Sequence, residues 1–221
     1  LNEIREHDEA YRTYADIPEL DSDIRSLGIG GIRYDKTIEL DYLIPGNEHA
    51  ISELLIDVDR LTRMTKLEQL SLRKIESANQ NRKHLLQSTP SIRPINTGYF
   101  SDGFGYRSDP FNGTRRFHYG LDISAPRGTP IFAAAGGIVQ FAKRNGGYGL
   151  MIAINHGYGY RTLYGHMSKL DVRAGERVER GQKIGEVGNT GRSTGSHVHY
   201  EVQRFGKAVN PLDYFFSGYI K

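Results

Sequence analysis

The run from Ser193 to Gln203, STGSHVHYEVQ, sets His197 and His199 one residue apart in a stretch with the composition of a β-strand. Successive strand side chains point to opposite faces, so the two imidazoles share a face, about 7 Å apart at Cα. A second candidate set lies in RRFHYGLDIS, where His118 and Asp122 stand four apart. Gly120 and the apolar flanks make this segment a strand or turn, and the even spacing again puts both residues on one face of an extended chain. Imidazole nitrogens and a carboxylate oxygen are ordinary Zn2+ ligands, and catalytic zinc commonly takes three protein ligands and keeps a position for water. His118, Asp122 and one of the HxH histidines make such a set. The other HxH histidine is then free for proton transfer.

Several other chemistries are not written in the chain. With no cysteine there are no disulfides and no thiolate metal sites. GIGG and GGYG lack the spacing and the strand-to-helix context of a dinucleotide fingerprint, and no glycine loop leads to a phosphate-binding lysine. No stretch approaches the roughly 18–20 apolar residues of a membrane span, and no signal peptide is visible. The chain begins at Leu1 rather than Met, as a trimmed or mature fragment does, so any anchor or targeting segment would lie outside it.

The elements that must position these residues fall into two halves. Residues 1–90 carry 12 Lys and Arg against 17 Asp and Glu, a net of −5, whereas residues 91–221 carry 17 against 9, a net of +8. A basic C-terminal half favours an anionic polymer: nucleic acid, membrane or a cell-wall glycopeptide. Nucleic acid is set aside, because no recognition helix, zinc-finger cysteines or RNP-like aromatic motif is present. From about Asn47 to Gln87, Ile51, Leu54, Leu55, Val58, Leu61, Leu67, Leu70 and Ile75 recur mostly three or four apart. That spacing predicts a long amphipathic helix between Pro45-Gly46 and STPSIRP. LNEIREHDEAYRTYADIPEL predicts an earlier helix ending near Pro18, with LGIGGIRYD as a turn or loop between the two. From Ile95 onward, short β-prone runs follow one another, punctuated by Gly and Asn and without helical intervals. Antiparallel sheets in a barrel or sandwich are therefore expected.

The ordered series GFGYRSDPFNGTRRFHYGLD, GTPIFAAAGGIV, GYGLMIAINHGYGYRTLYGHMS, GNTGRSTGSHVHYE and NPLDYF runs from Ser101 to Phe216. It resembles the LytM- and lysostaphin-type zinc endopeptidases that cut peptidoglycan. The resemblance implies an α+β chain: an acidic helical module over residues 1–90, then an antiparallel β-rich LytM-type domain over residues 91–221. It implies zinc held by His118, Asp122 and His199, with His166 of the Y-x-H motif and His197 assisting catalysis. All five positions are intact, unlike in degenerate LytM-like activators. Peptidoglycan peptides are the implied substrate and the cell envelope or periplasm the implied location, with membrane anchoring through a segment absent from this sequence. The helical module is expected to serve as spacer or docking module, the alternative being inhibition by contact of its helices with the catalytic groove, where His49 is one candidate to reach the zinc. With no H-E-x-x-H glutamate present, His166 and His197 remain the candidates for proton transfer and oxyanion stabilisation.

Other residues carry smaller expectations. Glu201 shares the strand face of His199 and reads first as a solvent-facing carboxylate, second as a group that orients a histidine. His156 is expected to make a turn hydrogen bond. Tyr106, Tyr148 and Tyr164 are candidates to line a groove or to pack a sheet. The glycines of GNTGRSTGS are expected to shape a tight loop that brings backbone close to substrate.

Overall fold

The computed structural model describes residues 2–21 and 48–215. The expected turn in LGIGGIRYD, the Pro45-Gly46 helix start and the His49 side chain lie outside the described residues. The chain forms two compact units, Leu1–Lys83 and His84–Lys221.

Two helices form where the spacing places them, α1 (Asn2–Tyr14), which ends at Tyr14 rather than near Pro18, and α2 (Glu48–Ser88). Within the first unit a polar cluster joins them. Asp8 and Arg12, one helical turn apart, are buried beside Ser71 of α2. Arg12 donates to Asp8 Oδ2 at 3.0 Å, to Ser71 Oγ at 2.7 Å and to the Pro18 carbonyl at 2.8 Å. The buried stripe of α2 includes Met64, Ser71 and Ile75, whereas Leu54, Leu55, Val58, Leu61 and Leu70 are exposed. The 3.6-residue spacing thus forms a helix without burying most of its apolar positions. No helix among the described residues is long and apolar enough to cross a membrane.

The second unit is built from strands β1 (Tyr99–Asp102), β2 (Gly105–Ser108), β3 (Arg115–His118), β4 (Leu121–Ser124), β5 (Pro130–Phe132), β6 (Gly137–Arg144) and β7 (Leu150–Gly157). It continues through β8 (Tyr160–Met167), β9 (Lys169–Leu170), β10 (Arg177–Val178), β11 (Lys183–Glu186), β12 (His197–Arg204) and β13 (Lys207–Val209). An antiparallel sheet runs in the order β1-β4-β12-β8-β7-β6-β10, with β13 added to β12. A three-stranded sheet, β5-β11-β9, and the hairpin β2-β3 complete the unit.

Alternation decides what each face of the large sheet carries. Leu121 and Ile123 of β4, Val198, Tyr200 and Val202 of β12, and Ile152 and Ile154 of β7 enter one core. Ile131 of β5 and Ile184 of β11 join them from the smaller sheet. Burying such a side chain contributes about 1.5–3 kcal/mol, so this face fixes the register. The residues between them, Asp122, His197, His199 and Glu201, therefore fall on the opposite face. Ile92 and Ile95 also pack into this core, and Gln87 accepts a bond from the Gly136 N–H at 3.1 Å. The β unit thus begins several residues before the first strand.

Candidate metal centre

The register of β4 against β12 pairs Asp122 directly with His199. His118 arrives from the last position of β3, in the separate hairpin, and Tyr119-Gly120 turn the chain into β4. The two residues of H-x-x-x-D therefore meet across a break between strands rather than along one extended run. Gly120 makes that turn fit: a Cβ there would lie 2.5 Å from the Tyr200 carbonyl oxygen and 2.9 Å from the His199 ring. On the far side Gly165 of β8 pairs with His199.

These elements bring three ligand-type atoms together. His118 Nε2 lies 3.0 Å from His199 Nδ1 and 3.2 Å from Asp122 Oδ1, and His199 Nδ1 lies 2.8 Å from that same oxygen. The outer nitrogens are committed elsewhere. His118 Nδ1 is 2.7 Å from the Gly103 carbonyl, which can only accept, so the ring proton sits there. His199 Nε2 is 3.0 Å from Glu201 Oε1 and donates to that carboxylate. With the outer nitrogens turned to a carbonyl and a carboxylate, the inner nitrogen of each ring faces the Asp122 carboxylate, and the cluster is rich in lone pairs. Two imidazoles and a carboxylate, all buried, are a donor set suited to Zn2+.

The local electrostatics follow from the same contacts. Burial alone would raise the Asp122 carboxyl, but the bonds from His118 and His199 hold it well below the usual range. Burial would lower His199, yet Asp122 and Glu201 outweigh it and hold the ring at about 9. Glu201 resists the upward push of burial through His199, Tyr148 and Gln203 and is lowered. It is 2% exposed, so the solvent-facing reading of this residue is corrected: the second, histidine-orienting one holds. Tyr148 donates to Glu201 Oε1 at 2.7 Å, and burial followed by that carboxylate pushes the phenol upward.

His166 and His197 stand beside this cluster, their rings 4.7 Å apart. His166 Nδ1 donates to the Thr190 carbonyl at 2.7 Å and His197 Nδ1 to the Gly195 carbonyl at 2.9 Å, which selects for each neutral ring the tautomer with its lone pair on Nε2. Burial lowers His166 to about 4, against the opposing bond to Thr190. Its backbone has φ 58°, a strained left-handed conformation in a non-glycine residue at the end of a strand. His197 Nε2 lies 3.8 Å from Asp122 Oδ1.

A cleft of about 450 Å³ opens over these residues and is lined also by Tyr119, Tyr148, Arg107, Arg116 and Arg192. Of the three tyrosine candidates only Tyr148 lines it. Tyr164 is fully buried in the core, its hydroxyl accepting from the Ala134 N–H, and Tyr106 is exposed on the hairpin against Phe117. His156 is buried between the Gly136 carbonyl and the Thr162 hydroxyl, away from the cluster. In the glycine loop, a Cβ on Gly188 or Gly191 would come within 2.4 Å of the backbone of Ser168 or Gly149, while Gly195 meets nothing. The first two glycines serve the loop's own close packing. Sequence reading missed Arg107, whose guanidinium approaches Asp122 Oδ2 at 3.5 Å, and the carbonyls of Gly103 and Thr190 that fix two histidine tautomers.

Residues 116–211 match Peptidase family M23. The DD-carboxypeptidase/endopeptidase Mpg of Neisseria meningitidis is 46% identical over 122 residues, covering 55% of this chain and 28% of that protein. The peptidoglycan DD-endopeptidase ShyA of Vibrio cholerae is 43% identical over 95 residues, covering 43% of this chain and 22% of that protein. A zinc-containing peptidase of known structure from Vibrio cholerae superposes with a TM-score of 0.50 at 32% identity, over 57% of this chain and 39% of that one. The chain thus spans less than a third of the length of either curated relative.

Proposed function

We propose that the domain around residues 116–211, which match Peptidase family M23, is a zinc-dependent endopeptidase hydrolysing peptide cross-links or stem peptides of bacterial peptidoglycan in the cell envelope. The observation that carries the reading is the convergence of His118 Nε2, His199 Nδ1 and Asp122 Oδ1 within 3.2 Å, with both outer nitrogens already committed as donors. The similarity to Mpg, ShyA and the zinc-containing peptidase supports both the metal and the substrate class.

His118, Asp122 and His199 hold the zinc, which when bound supplies Lewis acidity toward a peptide carbonyl and toward water. His166 and His197 do the proton work. Their Nδ1 atoms are locked onto carbonyls, so each presents a bare Nε2 that can accept a proton from water and return it to the departing amine. Protonated, either ring also offers positive charge beside a developing oxyanion. Glu201 and Tyr148 hold the His199 ring in the orientation that turns Nδ1 inward. Residues 1–90 act as spacer or docking module ahead of this domain.

The experiment separates ligation from catalysis. In His199→Ala, zinc content measured by elemental analysis should fall and release of products from purified sacculi should cease. His166→Ala and His197→Ala should keep their zinc and lose about 100-fold or more in turnover. Undiminished zinc in His199→Ala would refute the ligand set, and near-normal turnover in either of the others would remove that residue from the mechanism.

A further inference from the structure

Strand β3 brings more than His118 to the metal face. Alternation places Arg116 two residues before it on the same side, and the register of the β2-β3 hairpin sets Arg107 directly opposite Arg116. Like charges directly opposite on one face of an antiparallel pair are destabilising. The hairpin gains no stability from that choice.

Nearby carboxylates relieve the repulsion only in part. Arg107 pairs with Asp102 at 2.8 Å, and its second contact, Asp122 at 3.5 Å, is with an oxygen of a carboxylate already bonded by both ligand histidines. Arg116 has Asp109 Oδ2 at 3.6 Å. The other oxygen of Asp109 serves Arg192 at 2.7 Å and the Phe111 N–H at 2.9 Å. Arg192 is further held by stacking over the Phe111 ring at 4.6 Å. The Arg116 side chain remains 63% exposed, and its charge acts on the Tyr148 phenol that backs the metal cluster. All three arginines line the cleft that holds the candidate zinc ligands.

We propose that Arg107, Arg116 and Arg192 form a carboxylate-binding subsite, so that the cleft selects peptides with a free carboxylate close to the scissile bond over neutral peptides. The inference rests on the peptidase reading of the same cleft and deepens it to a substrate class. A guanidinium fork matches a carboxylate in shape and charge, and such charge-assisted bonds are the strong ones. A bound carboxylate would also remove the repulsion built into the Arg107–Arg116 pair. A neutral peptide would crowd the same guanidiniums without compensating them, which turns the repulsion into discrimination.

The test gives the zinc-loaded full chain a soluble cross-linked muropeptide with its carboxylates free, and the same compound with them amidated. The free form should be preferred about tenfold in kcat/KM, the difference lying in KM and shrinking as NaCl is raised. Arg116→Gln should reduce the preference to about twofold, and Arg116→Lys should recover part of it, with zinc content reporting that the variants are folded. Equal kcat/KM for the two forms in the wild type, or an undiminished preference in Arg116→Gln, overturns the subsite. If the wild type hydrolyses neither form, the peptidase reading fails, and calorimetric binding of the two compounds decides the subsite alone. Tighter binding of the free form that is lost in Arg116→Gln supports it. Equal binding of the two forms refutes it.

Discussion

Glu201 shows how much of the metal centre depends on a side chain that never faces the metal. Its Oε1 receives both the His199 Nε2 proton and the Tyr148 hydroxyl, and its Oε2 receives Gln203 at 3.2 Å. The carboxylate fixes the His199 tautomer, holds the ring plane and raises the ring's basicity, as such partners of metal-bound histidines do. Glu201→Gln retains the shape and an acceptor oxygen but removes the charge. Zinc affinity, measured by competition with a chelator, should fall on the order of 10- to 100-fold. Unchanged affinity would reduce Glu201 to packing. The ligand-type residues were legible in the sequence because few residue types bind zinc and their spacings are short. Glu201 was harder to read for a physical reason: a strand carboxylate on a known face still faces either solvent or a neighbour. Here Tyr148, 53 positions away, closes over it. Arg107 was illegible for the same reason, since its partner Asp122 is reached only through the hairpin fold.

At the level of elements, the two-residue period of β12 and β4 was enough to say which residues share a face. It could not say that β3 and β4 are separate strands, because that break depends on Gly120 passing tightly against the Tyr200 carbonyl. The other long pair, β7 and β8, carries a second polar cluster on its core side. Tyr164 accepts from the Ala134 N–H at 2.8 Å and lies 3.0 Å from the Thr162 hydroxyl, which in turn meets His156 Nε2 at 2.8 Å. His156 Nδ1 donates to Gly136 at 2.8 Å. Burial lowers His156 to about 4, against an unfolded value near 6.5. The unfolded chain therefore takes up this proton first, so stability is full above pH 6.5 and is lost progressively as the pH falls toward 4. The shift corresponds to roughly 3 kcal/mol. Denaturant unfolding of wild type and His156→Gln across that window should show a shallower acid loss in the variant. Parallel pH profiles would place the acid sensitivity elsewhere.

Across the whole molecule, the charge division in the sequence coincides roughly with a structural one. The acidic part, net −5 over residues 1–90, holds the first unit, and the basic part, net +8, holds the β unit with its cleft. The second compact unit starts at His84, ahead of the first strand. Gln87, Ile92, Pro94 and Ile95 all bond to or pack within the β unit: the Pro94 carbonyl accepts from the Phe132 N–H at 2.7 Å, and Ile95 is fully buried. A fragment cut near Ile92 would strip the Gln87 contact from the β unit and expose part of its edge. A fragment beginning at His84 keeps the unit whole. This matters for deciding between a spacer and an inhibitory cover, since damage to the β unit would mask any gain from removing a cover. At matched zinc loading, the fragment 84–221 and the full chain should hydrolyse a small soluble muropeptide at equal rates, because a spacer or docking module has no bearing on access by a small substrate. On intact sacculi the full chain should be the faster if residues 1–83 dock it to the wall. A rise of tenfold or more on truncation, seen with the small substrate, would instead identify residues 1–83 as a restraint on the cleft. Raising NaCl should then activate the full chain as well, since a −5 module held to a +8 domain by charge is released by screening.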